Sequence, residues 1–504
     1  MTRTPGLRAW AALAVLTLAV TLLAIDSTVL ALAIPSLSAD LSPTASQLLW
    51  IGDIYSFTLA GLLVTMGNVA DRIGRRRLLL IGTFGFGTAS IMAAFAPSAG
   101  ALIAARALLG VGGATIMPST LSLIRNIFPD ARHRTTAIAI WSAGSSGGTV
   151  LGPLVGGVLL EHFWWGSVFL INVLVMAAVI VSGLWLLPES KNAQGAPVDL
   201  ASVVLSVLAI VPITYAVKSF AHDGLTVVAI AALVGGLATG WLFIRRQRTL
   251  ATPLIDVELF RRPAFTWAIA TSVLAIFALA GLLYFFSQYL QLVRGYSTLR
   301  AGLTELPASL ASIVVVAVVA AVVRRLGNGR ALGSGLLVAA VGLVVVALGE
   351  SYGGIMVIGI GLLVIGAGIG LASTVSTGAV LGAVPADRAG AASAISETGL
   401  ELGVALGIAV LGTIQDVGYR LLLGPAPSSL PQRVAEAAEQ SLATLAGAID
   451  PSDPGQAGLM VQAREAFTCA MQATAVIAAV ILLGAGVMAA RHVPATSETS
   501  EETA

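Results

Sequence analysis

Charged side chains are scarce in this chain of 504 residues: Asp, Glu, Lys and Arg together make up 10% of it, against about 25% in a typical soluble domain. Hydrophobic residues make up 57%, and the mean hydropathy is +0.94. Apolar runs recur from residue 9 to residue 490, so no interval is long enough for a large soluble domain. This composition indicates an integral membrane protein.

Cysteine and histidine are also rare, which excludes several kinds of site. Cys469 is the only cysteine, so neither an internal disulfide framework nor a cysteine-built metal site is possible. The four histidines are scattered without metal-ligand spacing, and we expect no metal and no cofactor. The net charge of +2 gives no reason to expect a nucleic-acid partner. The sequence has no Walker-type phosphate loop and no nucleophile–base constellation, which argues against an enzyme.

Long apolar windows predict fourteen transmembrane helices, since a span needs about 20 such residues. They lie near residues 9–33, 47–68, 78–96, 100–124, 135–160, 165–187, 198–218, 225–244, 265–291, 302–323, 331–349, 353–379, 389–415 and 465–490. With this arrangement, twenty Lys and Arg residues lie on the side of the N-terminus and six on the other side. The positive-inside rule therefore predicts that both termini are cytoplasmic.

The longest predicted loop, 417–463, then lies outside the cell. Val434, Ala438, Leu442 and Leu445 fall on one face of a predicted helix within it, which suits packing on the protein or on the membrane surface. The tail at 491–504 is rich in Thr, Ser and Glu, and we expect it to be disordered.

Two segments of the chain form an internal repeat. Residues 67–77 end the second predicted span, residues 320–330 end the tenth, and the two align without gaps. The repeat relates spans 1 to 6 to spans 9 to 14. It predicts six-helix bundles at 1–190 and 251–490, with two inserted helices at 191–250. Duplicated bundles around a central cavity are typical of alternating-access transporters.

Several motifs resemble those of the major facilitator superfamily. Residues 67–77 are similar to its G-x-L-A-D-R-x-G-R-K loop, and 106–110 to its R-x-x-Q-G motif, with Leu109 in place of Gln. The fifth-helix motif of its antiporters resembles a set of small residues here: Gly144, Gly148, Gly152, Pro153, Gly156 and Gly157. Residues 26–29 and 169–173 resemble the first- and sixth-helix motifs of its fourteen-helix drug:proton antiporter branch.

The resemblance implies an all-α protein of two six-helix bundles plus two inserted helices, multi-pass in the bacterial cytoplasmic (inner) membrane. It implies export of amphipathic, mainly cationic drugs and dyes in exchange for protons, with membrane lipids around a monomer. An exporter of a dedicated metabolite, lipid or peptide is an alternative within transport, and a membrane sensor is an alternative outside it.

The loop motif has a structural and a functional interpretation. Its residues are Gly67, Asp71, Arg72, Gly74, Arg75 and Arg76. The arginines alone would serve as a positive-inside anchor. The resemblance implies more, namely a gating latch formed by Asp71 across the bundle interface. The second copy has Arg324 at the position of Asp71, so only the first copy is expected to latch.

The glycines of the fifth span recur every four residues and predict a bare stripe that allows close approach of another helix. Pro153 adds a bend. The resemblance implies that this bent helix lies at the bundle interface and limits leakage during exchange.

Ionisable residues inside a span are functional candidates, since they are costly to bury in a membrane. Five lie well inside: Asp26, Asp53, Arg106, Glu397 and Glu401. Asp26 and Arg106 share a depth in the outer half, which predicts an ion pair. Asp53 is an alternative partner, and a static structural pair is an alternative role. Glu305 and Glu465, near span ends, are expected to be interfacial.

Glu397 and Glu401 are four residues apart and therefore project from one face of span 13. The resemblance implies that this acidic pair couples protons to substrate. The alternative is that the acids face a water-filled interface without coupling. A group of aromatic side chains suits either cation–π contact with a flat substrate or ordinary helix packing: Trp50, Tyr55, Trp141, Tyr284, Phe285, Phe286 and Tyr289.

Overall fold

The computed structural model describes residues 6–190, 199–222, 226–250, 253, 255–352, 354–384, 389–425, 430–450 and 452–494, and this part of the chain is helical, without strands. The helices are α1 (Leu7–Leu41), α2 (Ala45–Ile73), α3 (Arg75–Ala94), α4 (Ala99–Ile127), α5 (Ala131–His162), α6 (Ser167–Leu186), α7 (Leu200–His222), α8 (Val227–Gln247), α9 (Pro263–Gln288), α10 (Thr298–Val314), α11 (Val316–Tyr352), α12 (Ile355–Gly382), α13 (Ala389–Leu423), α14 (Gln432–Gln440), α15 (Leu442–Ala448) and α16 (Pro454–His492). A 3₁₀ turn, Val257–Arg261, precedes α9, and a π-helical turn, Tyr289–Val293, follows it.

Eleven helices in the described ranges are long and apolar enough to cross a membrane. The helices α2, α7 and α10 stand where spans are predicted but are not among the eleven, so the count of fourteen stays a prediction. The predicted boundary between spans 10 and 11, at 323–331, contains the kink of α11 at Gly327. An additional break at Val315 divides predicted span 10 between α10 and the start of α11.

Polar residues begin several of the helices. Thr44 and Gln47 form a reciprocal capping box at the start of α2. The side chains of Ser98 and Asp130 accept hydrogen bonds from backbone N–H groups in the first turns of α4 and α5. These caps satisfy donors that would otherwise stay unpaired at the helix ends.

The helices pack as two sets with an added pair. In the first set, α1 packs on α5 and α6, α2 on α4, and α3 on α4 and α6; in the second, α11 packs on α12 and α16, α9 on α13 and α16, and α10 on α12. We call α1–α6 the first half and α9–α16 the second half. Helix α7 packs on α8 and also contacts α2 and α13, one helix of each half.

An ion pair joins Asp199, which precedes the first residue of α7, to the end of α8. The Arg246 guanidinium donates Nε to Asp199 Oδ2 at 2.8 Å and a terminal nitrogen to Oδ1 at 2.9 Å. These charge-assisted hydrogen bonds lower the pKa of Asp199 to about 2.

The two copies of the repeat share a backbone feature. Gly74 ends α2 with φ +112°, and Gly327 kinks α11 with φ +75°. The gapless alignment pairs these two glycines, and both occupy the region of φ that L side chains rarely adopt. The two copies of the repeat therefore share a backbone turn as well as a sequence pattern.

The predicted helix in the 417–463 loop is two helices instead of one. Ser441 is extended and separates α14 from α15, and its hydroxyl accepts from the Thr444 N–H at 3.1 Å. The four apolar residues predicted to share a face are nevertheless all buried. Thr444 donates its hydroxyl to the carbonyl of Pro43. This segment thus packs on the protein. The tail beyond residue 494 lies outside the described residues.

The two halves meet at the end of the bundle that carries α14 and α15, which we call the loop end. Thr298 of α10 donates to the carbonyl of Gly157 at 3.2 Å, and Gln291 donates to the carbonyl of Leu32 at 3.0 Å. The Tyr284 hydroxyl of α9 donates to the carbonyl of Leu48 in α2 at 2.7 Å. These contacts close the loop end.

Candidate functional site

A buried ion pair joins α1 to α4. A terminal nitrogen of Arg106 lies 3.5 Å from Asp26 Oδ2, and both side chains are at most 2% exposed. The other carboxylate oxygen, Oδ1, accepts a hydrogen bond of 2.6 Å from the amide of Asn172 in α6. The same amide lies 3.3 Å from the hydroxyl of Ser90 in α3. The structure thus brings Asp26 and Arg106 together as an ion pair.

Arg106 is also held by α2. Its Nε donates to the carbonyl of Ile51 at 3.1 Å and a terminal nitrogen lies 3.4 Å from that of Gly52. Gly110, one turn further along α4, explains why the helices come so close. A Cβ there would lie 2.6 Å from the carbonyl oxygen of Tyr55. The arginine and the glycine of this motif therefore act together. Gly110 allows α2 and α4 to pack closely, and this packing brings the α2 carbonyls within reach of Arg106.

Asp53 is fully buried on α2, but the ion pair of Arg106 that the structure shows is with Asp26. Asp53 lies close enough to Tyr284 of α9 to influence it electrostatically. Asp53 therefore stands where α2 faces the second half.

Glu397 and Glu401 lie half-buried on α13. The opposite face of α13 carries glycines that pack against α9: Gly399, Gly403 and Gly407. Close packing on that face leaves the glutamates directed away from α9. Glu401 lies against the hydroxyl of Ser56 in α2. Tyr55 interacts electrostatically with Glu401 and also with the Asp26–Arg106 pair, and the Arg106 guanidinium lies 5.1 Å from the centre of its ring. Carboxylates of both halves thus flank one tyrosine.

The arginines of the loop motif contact their own half. Arg75 donates its backbone N–H to the carbonyl of Ser190 at 2.9 Å, and Arg76 donates to the carbonyl of Leu184 at 2.6 Å. These contacts tie the start of α3 to the end of α6 and the residues after it. Arg72 is exposed, and Gly67 lies near Pro118 of α4. The side chain of Asp71 lies outside the described residues, so its latch stays a prediction.

The glycine stripe of α5 makes the predicted close approach, although its partner is α1 of the same half. Built Cβ atoms on Gly144, Gly148, Gly152 and Gly156 would all collide with α1. Only the end of the motif reaches the second half. A Cβ on Gly157 would lie 2.8 Å from Leu299 of α10, and Gly302 packs on the carbonyl of Pro153. Helix α5 therefore contacts the second half through α10, while its glycine stripe packs within the first half, and the role of α5 in limiting leakage stays a prediction.

The predicted aromatic candidates lie in different parts of the structure. Tyr55 belongs to the carboxylate site, and Tyr284 and Phe285 lie at the loop end. Other members pack elsewhere: Trp141 donates to the hydroxyl of Thr120, Phe286 stacks on Tyr289, and Trp50 lies beside Phe57. These four serve helix packing instead of the carboxylate site.

Four polar residues were missed as site candidates. Asn172 was noted only as part of a motif and Ser56 not at all, because neither is ionisable. Glu350 and Asp416 were placed beyond the predicted ends of spans 11 and 13, at 349 and 415. Helices α11 and α13 continue to Tyr352 and Leu423, so both acids are helical. At the end of span 13, no glycine or proline stands between Thr413 and Val417, and that was the available signal for Asp416. The end of span 11 gave no such signal, because Gly349 stands there.

Glu305, expected at an interface with water, is half-buried on α10. Its Oε1 atom is buried and has no hydrogen-bond partner within the described ranges.

Comparison with known proteins agrees with this fold and motif set. The family model described as Major Facilitator Superfamily matches residues 16–408. Multidrug efflux pump LfrA of Mycolicibacterium smegmatis is 47% identical over 96% of each chain. Methyl viologen resistance protein SmvA of Salmonella typhimurium is 36% identical over 91% of this chain and 93% of the relative.

Among solved structures, an inward-facing, unoccupied bacterial homologue of the human lysosomal transporter Spinster has a TM-score of 0.67 at 17% identity, covering 96% of this chain and 98% of that one. The fold and the site define a membrane transporter of two helical halves. The chain belongs to the major facilitator superfamily. It is a protein of the bacterial cytoplasmic membrane.

Proposed function

We propose that this protein is a proton-coupled antiporter that exports amphipathic, mainly cationic drugs and dyes. The observation that carries the proposal is the position of Glu401, a carboxylate of the second half that lies against Ser56 of the first half. A carboxylate between two moving halves can hold a proton in one state and a cation in another. The relatives named for multidrug efflux and for methyl viologen resistance support the same function.

The exchange follows from charge balance. An arriving cation favours the ionised form of the Glu397–Glu401 pair, so a proton leaves as the cation binds. After the cation has departed on the other side, external protons restore the pair. Asp26 and Asp53 are the alternative carriers of the proton. At Asp26, the charge of Arg106 competes with the proton for the carboxylate. The family's chemistry needs no cofactor, and we propose that the chain is not an enzyme and acts as a monomer.

We further propose fourteen spans with both termini cytoplasmic, so that the loop end faces the exterior. The halves at 1–190 and 251–490 then flank the insert at 191–250. With its loop end closed, the molecule would stand in a state whose cavity opens toward the cytoplasm.

Ethidium efflux from reconstituted vesicles tests the function. Efflux should follow an imposed pH gradient and stop when a protonophore is added. A variant with Glu397→Gln and Glu401→Gln provides the matched inactive control. Efflux that does not depend on the pH gradient would contradict proton coupling. The absence of ethidium efflux would favour an exporter of a dedicated metabolite, lipid or peptide.

Single cysteines test the topology. Thr249 and Gln432 are exposed on the two sides of the membrane in the proposed arrangement. In a Cys469→Ala background, Thr249→Cys should react with an impermeant reagent only in inverted vesicles and Gln432→Cys only in intact cells. Labelling of both from one side would refute the proposed orientation.

A further inference from the structure

A second acid on α13 lies far from the carboxylate site and has a different environment. Asp416 follows Glu401 by fifteen residues, which is about 22 Å along a helix. It lines a narrow cavity of about 20 Å³ at the loop end. A cavity needs about 10–15 Å³ to hold a water molecule, so the closed cavity has room for about one water, and a larger ligand would enter only when the halves separate at this end.

Aromatic rings form a continuous wall of this cavity. Tyr284 and Phe285 of α9 have ring centres 5.1 Å apart, Phe285 lies 6.5 Å from Phe467 of α16, and Phe467 lies 6.4 Å from Tyr419 of α13. All four side chains are buried. A carboxylate beside several aromatic faces is the environment that attracts organic cations, because the charge and the ring faces act on the same ligand.

A buried hydroxyl in the same wall has no partner. Tyr419 is 2% exposed, and its hydroxyl makes no hydrogen bond within the described part of the chain. The neighbouring Gln415 has a partner on each side of its amide, since it donates to the carbonyl of Phe467 at 3.1 Å and accepts from Thr474 at 3.2 Å. Burying a polar group without a partner is costly. The hydroxyl therefore points to a water or ligand in the cavity.

Arg420 is the nearest positive charge to Asp416, one turn further along α13. Its Nε lies 3.5 Å from the backbone carbonyl of Asp416, and its charge acts on the carboxylate. Arg420 also lines a solvent-facing groove together with Glu436 and Glu439. These acids offer the arginine another position when a cation approaches Asp416.

Both halves enclose the cavity. Leu48 and Leu49 of α2 complete it from the first half, and the hydrogen bond from Tyr284 to the Leu48 carbonyl holds it shut. Separation of the halves at the loop end would break that bond and widen the cavity toward the exterior.

We propose that Asp416 and its aromatic wall form an exit site, where an exported organic cation binds after it has left Glu397 and Glu401 and before its release. This inference rests on the proposed function and topology. It requires that a cation added outside binds the outward-open protein at Asp416 and slows export.

The test uses methyl viologen as an external, poorly permeant aromatic cation. Vesicles containing the full chain export ethidium under a fixed pH gradient, and the external methyl viologen concentration that halves the rate is measured. Asp416→Asn should raise that concentration about tenfold, the effect of losing one charge-assisted contact. Phe467→Leu, which keeps the charge, should raise it roughly threefold, as expected for one lost ring contact. The internal ethidium concentration for half-maximal rate should stay unchanged in both.

Glu465→Gln is the matched control, because it removes an exposed acid of α16 at the same end that lines neither the cavity nor the groove of Arg420, and it should behave as wild type. Unchanged inhibition in both Asp416→Asn and Phe467→Leu would overturn the exit site. An equal increase in the internal ethidium concentration for half-maximal rate would also overturn the exit site, because Asp416 would then belong to the main site. If wild-type vesicles export no ethidium, the proposed function fails separately from the exit site. Calorimetric titration of methyl viologen into purified wild type and Asp416→Asn then tests the exit site. A tenfold weaker affinity in Asp416→Asn supports the site, and equal affinities refute it.

Discussion

The buried pair of Asp26 and Arg106 predicts an unequal response to the loss of either partner. At 3.5 Å and an effective dielectric constant of about 20, two unit charges attract each other by roughly 5 kcal/mol. Desolvation offsets much of this attraction, so the net contribution of the pair is small, while a single stranded charge costs about 3–5 kcal/mol. The two single variants differ in what the stranded charge still contacts.

In Asp26→Asn, the charge of Arg106 keeps the carbonyls of Ile51 and Gly52. The loss should therefore be near the lower limit, about 3 kcal/mol. In Arg106→Met, the carboxylate of Asp26 keeps one hydrogen bond within the described residues, from the amide of Asn172, so the loss should approach about 5 kcal/mol. The double variant contains neither charge and should lose only about 3 kcal/mol, mostly from hydrogen bonds and packing.

Unfolding of the purified variants in mixed detergent micelles measures these losses. The coupling energy of the double-mutant cycle should be close to the direct attraction, about 5 kcal/mol. Asp199→Asn with Arg246→Met forms the control cycle, because that pair is partly exposed to water and should show far weaker coupling. Additive losses at Asp26 and Arg106 would refute the reasoning, and so would a larger loss for Asp26→Asn than for Arg106→Met.

Three further predictions use other parts of the molecule. Substituting Glu397 and Glu401 together by Gln should abolish the proton release that a cationic dye causes in weakly buffered detergent solution; undiminished release would move coupling to another acid. Gly74→Ala and Gly327→Ala should each destabilise the protein by about 1–3 kcal/mol through backbone strain, measured by thermal unfolding, whereas Gly85→Ala, where nothing lies within 4 Å of a built Cβ, should be neutral. The pKa of Asp199 is lowered to about 2. Its stabilising contribution is therefore complete above about pH 4 and disappears as the pH falls from about 4 to 2. Wild type should lose thermal stability over that interval, and Asp199→Asn should lose less.

Much of the fold could be predicted because the bilayer imposes simple rules on the sequence. Apolar windows located the helices, since backbone groups in lipid must be satisfied within a helix. The gapless repeat located two equivalent turns, and Gly74 and Gly327 share the same unusual backbone. Helix ends were less predictable, because α13 continues to Leu423, well beyond the predicted end at 415. The break at Ser441 was missed because the apolar face continues on both sides of it.

The site was predictable where charge was the signal. Buried ionisable residues are rare enough that depth predicted a pair of Asp26 and Arg106, although it left Asp53 as an alternative partner. Neutral partners were not predictable in this way, because a buried Asn or Ser is common and its role depends on what the fold places beside it. Asn172 acquires its role only when α6 packs beside α1. The direction of the α5 stripe depended on packing in the same manner, since small residues permit close approach without specifying the partner.

The anchoring of the charged groups explains how a change in one half can be felt in the other. Arg106 is attached to α2 through two carbonyls, while Asp26 is attached to α6 through Asn172. Their ion pair therefore links separate helices of the first half, and neutralising Asp26 would leave Arg106 with α2. Tyr55, also on α2, lies beside Arg106 and within electrostatic reach of Glu401. We therefore expect a proton or cation at Glu401 to act on the helix that holds Arg106, through the contact between α2 and α13.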